Sequence, residues 1–245
     1  MNVATYNMRK GGSTRSHWQR MIEDHHVDLL FVQESYPHEE HLPPLLFPAL
    51  RDRSVWANAS QNKWGSGLFS ASGTLTPLPL PNYQGWVAGA VIREPKWLSD
   101  GESILAFSIH APAGAGSYPG QVSRILDEIR SVADGKNIII AGDFNLTISD
   151  SAISKRPIQK NNREIQRRLA EEFGLINCWT EANPNQELAQ TLRWTKDSSI
   201  PYHCDGIFVP RSWGPRLQSC VVLSGDHWDG LSDHNPVIAC FGDNS

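Results

Sequence analysis

Residues 137–145, "NIIIAGDFN", run three isoleucines and an alanine into a glycine, an aspartate and an asparagine. A short β-branched run bounded by turn residues predicts a buried strand at 137–141, and "GDFN" predicts a tight turn at its end. The same pattern recurs along the chain, predicting strands at 2–6 ("NVATY"), 28–33 ("DLLFVQ"), 67–71, 87–92, 104–109 ("ILAFSI"), 206–209, 219–223 and 236–241. Three amphipathic helices fall between them, one through Trp18, Met21, Ile22 and His25, one through Val122, Ile125, Leu126, Ile129 and Val132, and one through Ile165, Leu169 and Phe173. Gly135 and Gly174 stand where helix ends favour a left-handed residue. So many short strands exclude a helix bundle, and their mixture with helices predicts an α/β fold of sheets packed on each other and covered by helices. Residues 76–85, "TPLPLPNYQG", read as a surface loop and not as a linker, so 1–245 reads as a single domain.

The chain has 245 residues, 40% of them hydrophobic, enough to fill one large core. A net charge of −4 excludes the uniform basicity of a nucleic-acid coat protein while leaving local patches open. The cysteines at 178, 204, 220 and 240 show no CxxC spacing and read as reduced packing residues. No run reaches the ~20 apolar residues of a membrane span. The N-terminus has no basic and apolar leader pattern, so a cytoplasmic location without stable membrane association is expected. A monomer is the default state.

Polar residues gather at strand ends. Asn7 follows "VATY", Glu34 follows "LLFVQ", His110 follows "AFSI", Asp143 and Asn145 follow "IIIAG", Asp205 precedes "GIFV", and Asp233 with His234 precedes "PVIACF". Strand ends are where a rigid backbone meets solvent, so these side chains can converge. Carboxylates and carboxamides are hard oxygen donors, suited to Mg²⁺ or Mn²⁺ more than to zinc.

Six segments, "TYNMR", "FVQES", "SIHAP", "AGDFN", "CDGIF" and "LSDHNPV", occur in the order found in the endonuclease/exonuclease/phosphatase superfamily, which the chain therefore resembles from residue 5 to 237. Asn7 with Arg9, together with "IHAP", is more similar to deoxyribonuclease I and the cytolethal distending toxin catalytic subunit than to the exonuclease III branch. The resemblance implies a four-layer α/β/β/α sandwich of two packed mixed sheets and a Mg²⁺- or Mn²⁺-dependent phosphodiester hydrolase. It implies Glu34, Asn7 and Asp233 at the metal, His234 as catalytic imidazole paired with Asp205, and Asp143 and Asn145 orienting water and a phosphate oxygen. His110 would donate to the phosphate or leaving oxygen and Arg9 would grip a nonbridging oxygen. His234 and Asp143 both stand as candidates for the base. Near "KWGSGLF" no acid is found to buttress His110 as a glutamate does in deoxyribonuclease I. Ser232 reads as a residue that shapes its loop, and His25, His26, His203, His227 and Asp229 as loop or helix-end residues.

The segment 154–169, "SKRPIQKNNREIQRRL", carries Lys155, Arg156, Lys160, Arg163, Arg167 and Arg168 against Glu164, a local charge of +5. Residues 5–20 add Arg9, Lys10, Arg15 and Arg20 with no acid. Two basic strips beside a metal site suit a polyanion backbone held without sequence readout, which makes DNA the expected partner. Trp64, Trp194, Trp213 and Trp228 in loops would be available to stack on bases. The other readings are a phospholipid or phosphoinositide hydrolase of the same fold, which needs an exposed apolar loop, and an inactive nucleic-acid-binding module, which would have lost a ligand.

Overall fold

The computed structural model describes residues 1–11, 14–37, 52–98, 102–114, 116–133, 135–154, 158–193 and 202–242. One sheet, in the order β11-β12-β1-β2-β4-β3, is built from β1 (Asn2–Asn7), β2 (Leu29–Ser35), β3 (Ser54–Asn58), β4 (Gly65–Ser70), β11 (Leu217–Val222) and β12 (Val237–Phe241). The other, in the order β5-β6-β7-β8-β10-β9, is built from β5 (Thr74–Pro77), β6 (Val87–Arg93), β7 (Ser103–His110), β8 (Ile138–Asp143), β9 (Leu175–Asn177) and β10 (Asp205–Pro210). Both sheets are mixed: β1 runs parallel to β2 and antiparallel to β12, and β7 runs parallel to β8, which is antiparallel to β10.

Strand alternation sorts the apolar side chains into three layers. Val3, Leu29, Phe31, Val237 and Ala239 of the first sheet meet Ala90, Ile92, Ala106, Ile139, Ala141 and Ile207 of the second in the central layer. Ile138 and Ile140, the alternate residues of β8, face outward instead, onto Val122, Ile125 and Ile129 of α2 (Tyr118–Ala133) and Ile165 and Leu169 of α3 (Lys160–Glu171). On the far face of the first sheet Ala4, Tyr6, Leu30 and Val32 pack against Trp18 of α1 (Thr14–Gln19), Met21 of the π turn that continues it (Arg20–Asp24), and Trp228. The result is the four-layer α/β/β/α sandwich. Each fully buried isoleucine or leucine contributes on the order of 1.5–3 kcal/mol, and the "NIIIAG" strand supplies side chains to two of the three layers.

The nine strands expected from the sequence are present, but β3, β5 and β9 were not expected. All three are edge strands. The segment 76–85 is not wholly loop: Thr76 and Pro77 belong to β5, paired with Val91 and Ala90, and Pro81–Tyr83 form a 3-10 turn. Two further short helices, α4 (Cys178–Ala182) and α5 (Asp226–Asp229), also lay outside the expectation. Gly135 and Gly174 adopt φ of 69° and 66°. The four cysteines are free thiols, three of them buried. Trp213 and Trp228 are core residues, not loop platforms, and Trp194 lies outside the described residues. His203 lies in the loop before β10, as expected, and is wholly buried there. No helix among the described residues is long and apolar enough to cross a membrane.

Candidate active site

At one end of the sandwich, the strands of both sheets deliver their terminal polar residues to a common place. Parallel pairing of β7 with β8 sets His110 opposite Asp143, and antiparallel pairing of β10 with β8 sets Asp205 opposite Asp143 as well. Gly142 makes the first approach possible: its φ is 147°, and a Cβ there would lie 1.9 Å from the carbonyl oxygen of Ile109. Asp143 then anchors the group. Its Oδ2 accepts from Asn7 Nδ2 at 3.0 Å, bridging from the other sheet, and its Oδ1 accepts from the Asn145 backbone N–H at 2.9 Å. Asn145 is left-handed (φ 53°), a conformation asparagine tolerates, and its Nδ2 donates to the Ala111 carbonyl.

Glu34 enters from β2, where the pairing with β4 shifts register between Val32 and Ser35. Its φ of 48° swings it out of the ladder at this bulge. Beneath it lies a buried polar tie between the sheets. Gln33 Nε2 donates to Ser108 Oγ, Ser108 Oγ donates to the Val32 carbonyl, and Thr5 Oγ1 donates to Gln33 Oε1. Sequence reasoning missed this tie; the polar residues at 5, 33 and 108, inside otherwise apolar strands, were the available signal.

His110 Nε2 lies 3.5 Å from Glu34 Oε1 and 3.9 Å from Asp143 Oδ2. Where no buttressing acid was found, the ring instead packs against Trp86 and Trp64, with centroids 5.1 and 5.7 Å away, and its Nδ1 is buried without a partner. Burial lowers its pKa to about 4 against the pull of Asp143, so it is a neutral imidazole near pH 7. His234 is the opposite case. Its Nδ1 lies 2.9 Å from Asp205 Oδ2 and its Nε2 3.7 Å from Asp143 Oδ2. Burial disfavours its charge, but Asp205 and Asp143 outweigh burial and raise the pKa to about 10. Ser232 does shape this loop: its Oγ donates to the Asn7 carbonyl and accepts from the His234 N–H.

The loop also depends on residues the sequence did not single out. Thr191 Oγ1 accepts from the backbone N–H of Cys204 and of Asp205, at 2.9 and 3.1 Å. Arg193 donates its backbone N–H to the Asp233 carbonyl, and its guanidinium to the Ser232 carbonyl and Asn235 Oδ1. Nothing in the local pattern of "AQTLRWT" marks these contacts.

Glu34 is where the donor set fits a cation. Burial and the adjacent Asp143 charge raise its pKa, while His234 and an Asn7 hydrogen bond oppose them. Two half-screened carboxylates and a carboxamide crowded at one point are what a hard divalent ion would relieve. Asp233 sits at the rim, 3.8 Å from Arg9 Nε, with 40% of its side chain exposed. A second grouping, Asp143, Cys204, Asp205 and His234, brings one donor atom from each within 4.8 Å of the others. Its chemistry suits a metal less, since burial and the neighbouring Asp205 charge raise the Cys204 thiol well above its usual range and Asp205 is engaged by His234.

The basic strip is narrower than its sequence suggested. Arg167 is paired with Glu164 and Glu171. Arg168 is buried at the seam of α2 and α3, donating to Glu172, Asp127 and Ser123. The expectation of a free phosphate contact is therefore corrected for Arg168, while the Arg167 side chain stays 47% exposed with its charge engaged by Glu164 and Glu171. Lys160 and Arg163 are exposed on α3, while Lys155, Arg156 and the Arg15 side chain lie outside the described residues. Arg9 is 64% exposed beside the cluster, and Arg20 lies over the Trp228 ring.

No curated protein matches this sequence. An AP endonuclease from Archaeoglobus fulgidus has a similar structure, with a TM-score of 0.71 at 16% identity over 98% of this chain and 99% of that one. A 3' phosphatase from Neisseria, bound to product DNA hairpin, gives 0.72 at 19% identity over 99% of each chain. The endonuclease domain of a telomere-specific non-LTR retrotransposon gives 0.65 at 15% identity over 97% and 96%. These likenesses establish the fold. The model of the Endonuclease/Exonuclease/phosphatase family matches residues 4–234, a span that holds the whole cluster from Asn7 to His234, and the chain belongs to that family.

Proposed function

We propose that the protein is a divalent-metal-dependent phosphodiesterase that hydrolyses nucleic acid, with DNA the first substrate to test and little sequence preference. The observation that carries this reading is the single connected group of Asn7, Glu34, His110, Asp143, Asp205 and His234, assembled from the strand ends of both sheets. Family membership and the nuclease and phosphatase neighbours support it.

Glu34 and Asn7 would hold the ion, with Asp233 completing its surroundings from the rim. When bound, Mg²⁺ or Mn²⁺ would supply Lewis acidity to a phosphate oxygen. The chain's own residues do the rest. His234, with a carboxylate on each side, carries a proton on Nδ1 toward Asp205 and presents Nε2 to the phosphate. Asp143, with its oxygens oriented by Asn7 and the Asn145 N–H, positions water and accepts its proton. Neutral His110 donates a hydrogen bond without adding charge, and Arg9 cancels charge on a nonbridging oxygen. Lys160 and Arg163 track the backbone beyond the scissile group.

The test is hydrolysis of duplex DNA, single-stranded DNA, RNA and sphingomyelin, each with Mg²⁺ and with chelator. Cleavage of a nucleic acid that chelator, His234→Ala and Asp143→Ala each abolish in folded protein is expected. Sphingomyelin as the preferred substrate, or equal cleavage by the variants, overturns the reading.

A further inference from the structure

The four thiols divide by their surroundings. Cys178 and Cys220 belong to the central apolar layer, and Cys240 packs on the outer layer of the first sheet. Cys204, the first residue of the "CDGIF" segment, is buried but belongs to none of the apolar clusters formed by the described residues. Its neighbours are the polar groups of the site: its Sγ and one donor atom from each of Asp143, Asp205 and His234 lie within 4.8 Å of one another. Packing alone does not explain a thiol in that place.

Asp205 supplies the reason. Its carboxylate is wholly buried, and Oδ1 has no hydrogen-bond partner among the described residues. Oδ2 takes two contacts, His234 Nδ1 at 2.9 Å and Cys204 Sγ at 3.5 Å. The second is the longer because sulfur is the larger atom and the weaker donor. Thr191 Oγ1 accepts the backbone N–H of both Cys204 and Asp205, and its own proton finds the Tyr202 carbonyl at 3.3 Å, nearer than Cys204 Sγ at 3.8 Å. The thiol proton is left to point at the carboxylate. Burial and the Asp205 charge keep that proton on sulfur, which makes the group a donor and not a nucleophile.

A carboxylate rotates readily about its Cβ–Cγ bond, and its two oxygens are equivalent until something distinguishes them. With two donors converging on Oδ2, a turn loses both bonds. We propose that Cys204 is a positioning residue of the reaction: its S–H bond pins Asp205 with Oδ2 toward His234, so that the imidazole keeps the orientation that presents Nε2 to the phosphate. The inference deepens the phosphodiesterase reading, while the hydrogen bond itself is read without turnover.

Infrared spectroscopy of the full-length, chelator-treated protein tests the bond through its S–H stretch. The band lost in Cys204→Ser should lie below those of the other three thiols, and Asp205→Asn should move it up. With Mg²⁺ and the phosphodiester the protein cleaves best, Cys204→Ala and Cys204→Val should each lower kcat about tenfold and leave KM unchanged. Valine fills the volume of the thiol without a donor, so an equal loss in both variants excludes a cavity as its cause. Cys204→Ser keeps a donor and should stay within about threefold of the unaltered protein. On the Asp205→Asn background, Cys204→Ala should cost nothing further. A Cys204 band at the frequency of the packing thiols, full kcat in Cys204→Val, or a loss in Cys204→Ser equal to that in Cys204→Ala overturns the proposal. A lowered band that answers to Asp205→Asn, in a protein that hydrolyses no phosphodiester, would uphold the hydrogen bond and overturn the hydrolase reading alone.

Discussion

His234 Nδ1 meets Asp205 Oδ2 at 2.9 Å, joining the loop before the last strand of one sheet to the first residue of a strand in the other. A carboxylate only accepts, so this contact fixes the proton on Nδ1 and the orientation of Nε2 toward Asp143. Asp205→Asn removes the charge that outweighs burial. The rate should fall by about 10²–10⁴ in folded protein, and NMR titration of the metal-free variant should show the His234 pKa shifted well down. An unmoved titration would disprove the pairing.

Arg193 latches the same loop through Ser232, Asn235 and Asp229, the last at 3.3 Å. Arg193→Ala should cost about 2–3 kcal/mol in urea unfolding and lower kcat more than it raises KM. Arg193→Lys should recover only part of either, because an ammonium cannot reproduce the planar fork.

Arg168 and Lys160 share a helix but have different tasks. Arg168→Ala leaves Asp127 without this partner and Glu172 with Arg130 alone, and should destabilise the fold by about 2–4 kcal/mol, with the salt dependence of nucleic-acid binding unchanged. Lys160→Ala combined with Arg163→Ala should leave stability nearly intact and reduce that slope by up to about 2. Measuring both quantities on both variants separates the roles.

His203 is buried with Nδ1 2.7 Å from the Ala189 carbonyl oxygen, and burial lowers its pKa to about 4. The unfolded chain binds this proton near the ordinary value of 6.5, so between these two pH values the unfolded state holds more protons than the native state. Stability should therefore decline as pH falls from 6.5 toward 4, by up to about 3 kcal/mol from this residue, and level off above 6.5. Replacing His203 with Gln should flatten that part of the curve in denaturant melts at stepped pH.

Alternating apolar residues and turn chemistry are local properties, so the interior strands were legible from sequence, as was the crowding of polar residues at their ends. Of the four edge strands only β11 was legible; β3, β5 and β9 were not, because an edge is packed and paired on fewer sides and can carry a weaker pattern. Arg168 was misread because the window of charges stopped short of Glu171 and Glu172, although their spacing from Arg167 and Arg168, four residues on, was there to see. Other features have no local signature at all. The tryptophan wall behind His110 and the Thr191 and Arg193 supports each join segments far apart in the chain. Strand register and sheet packing, which depend on the whole core closing at once, decide whether such residues meet.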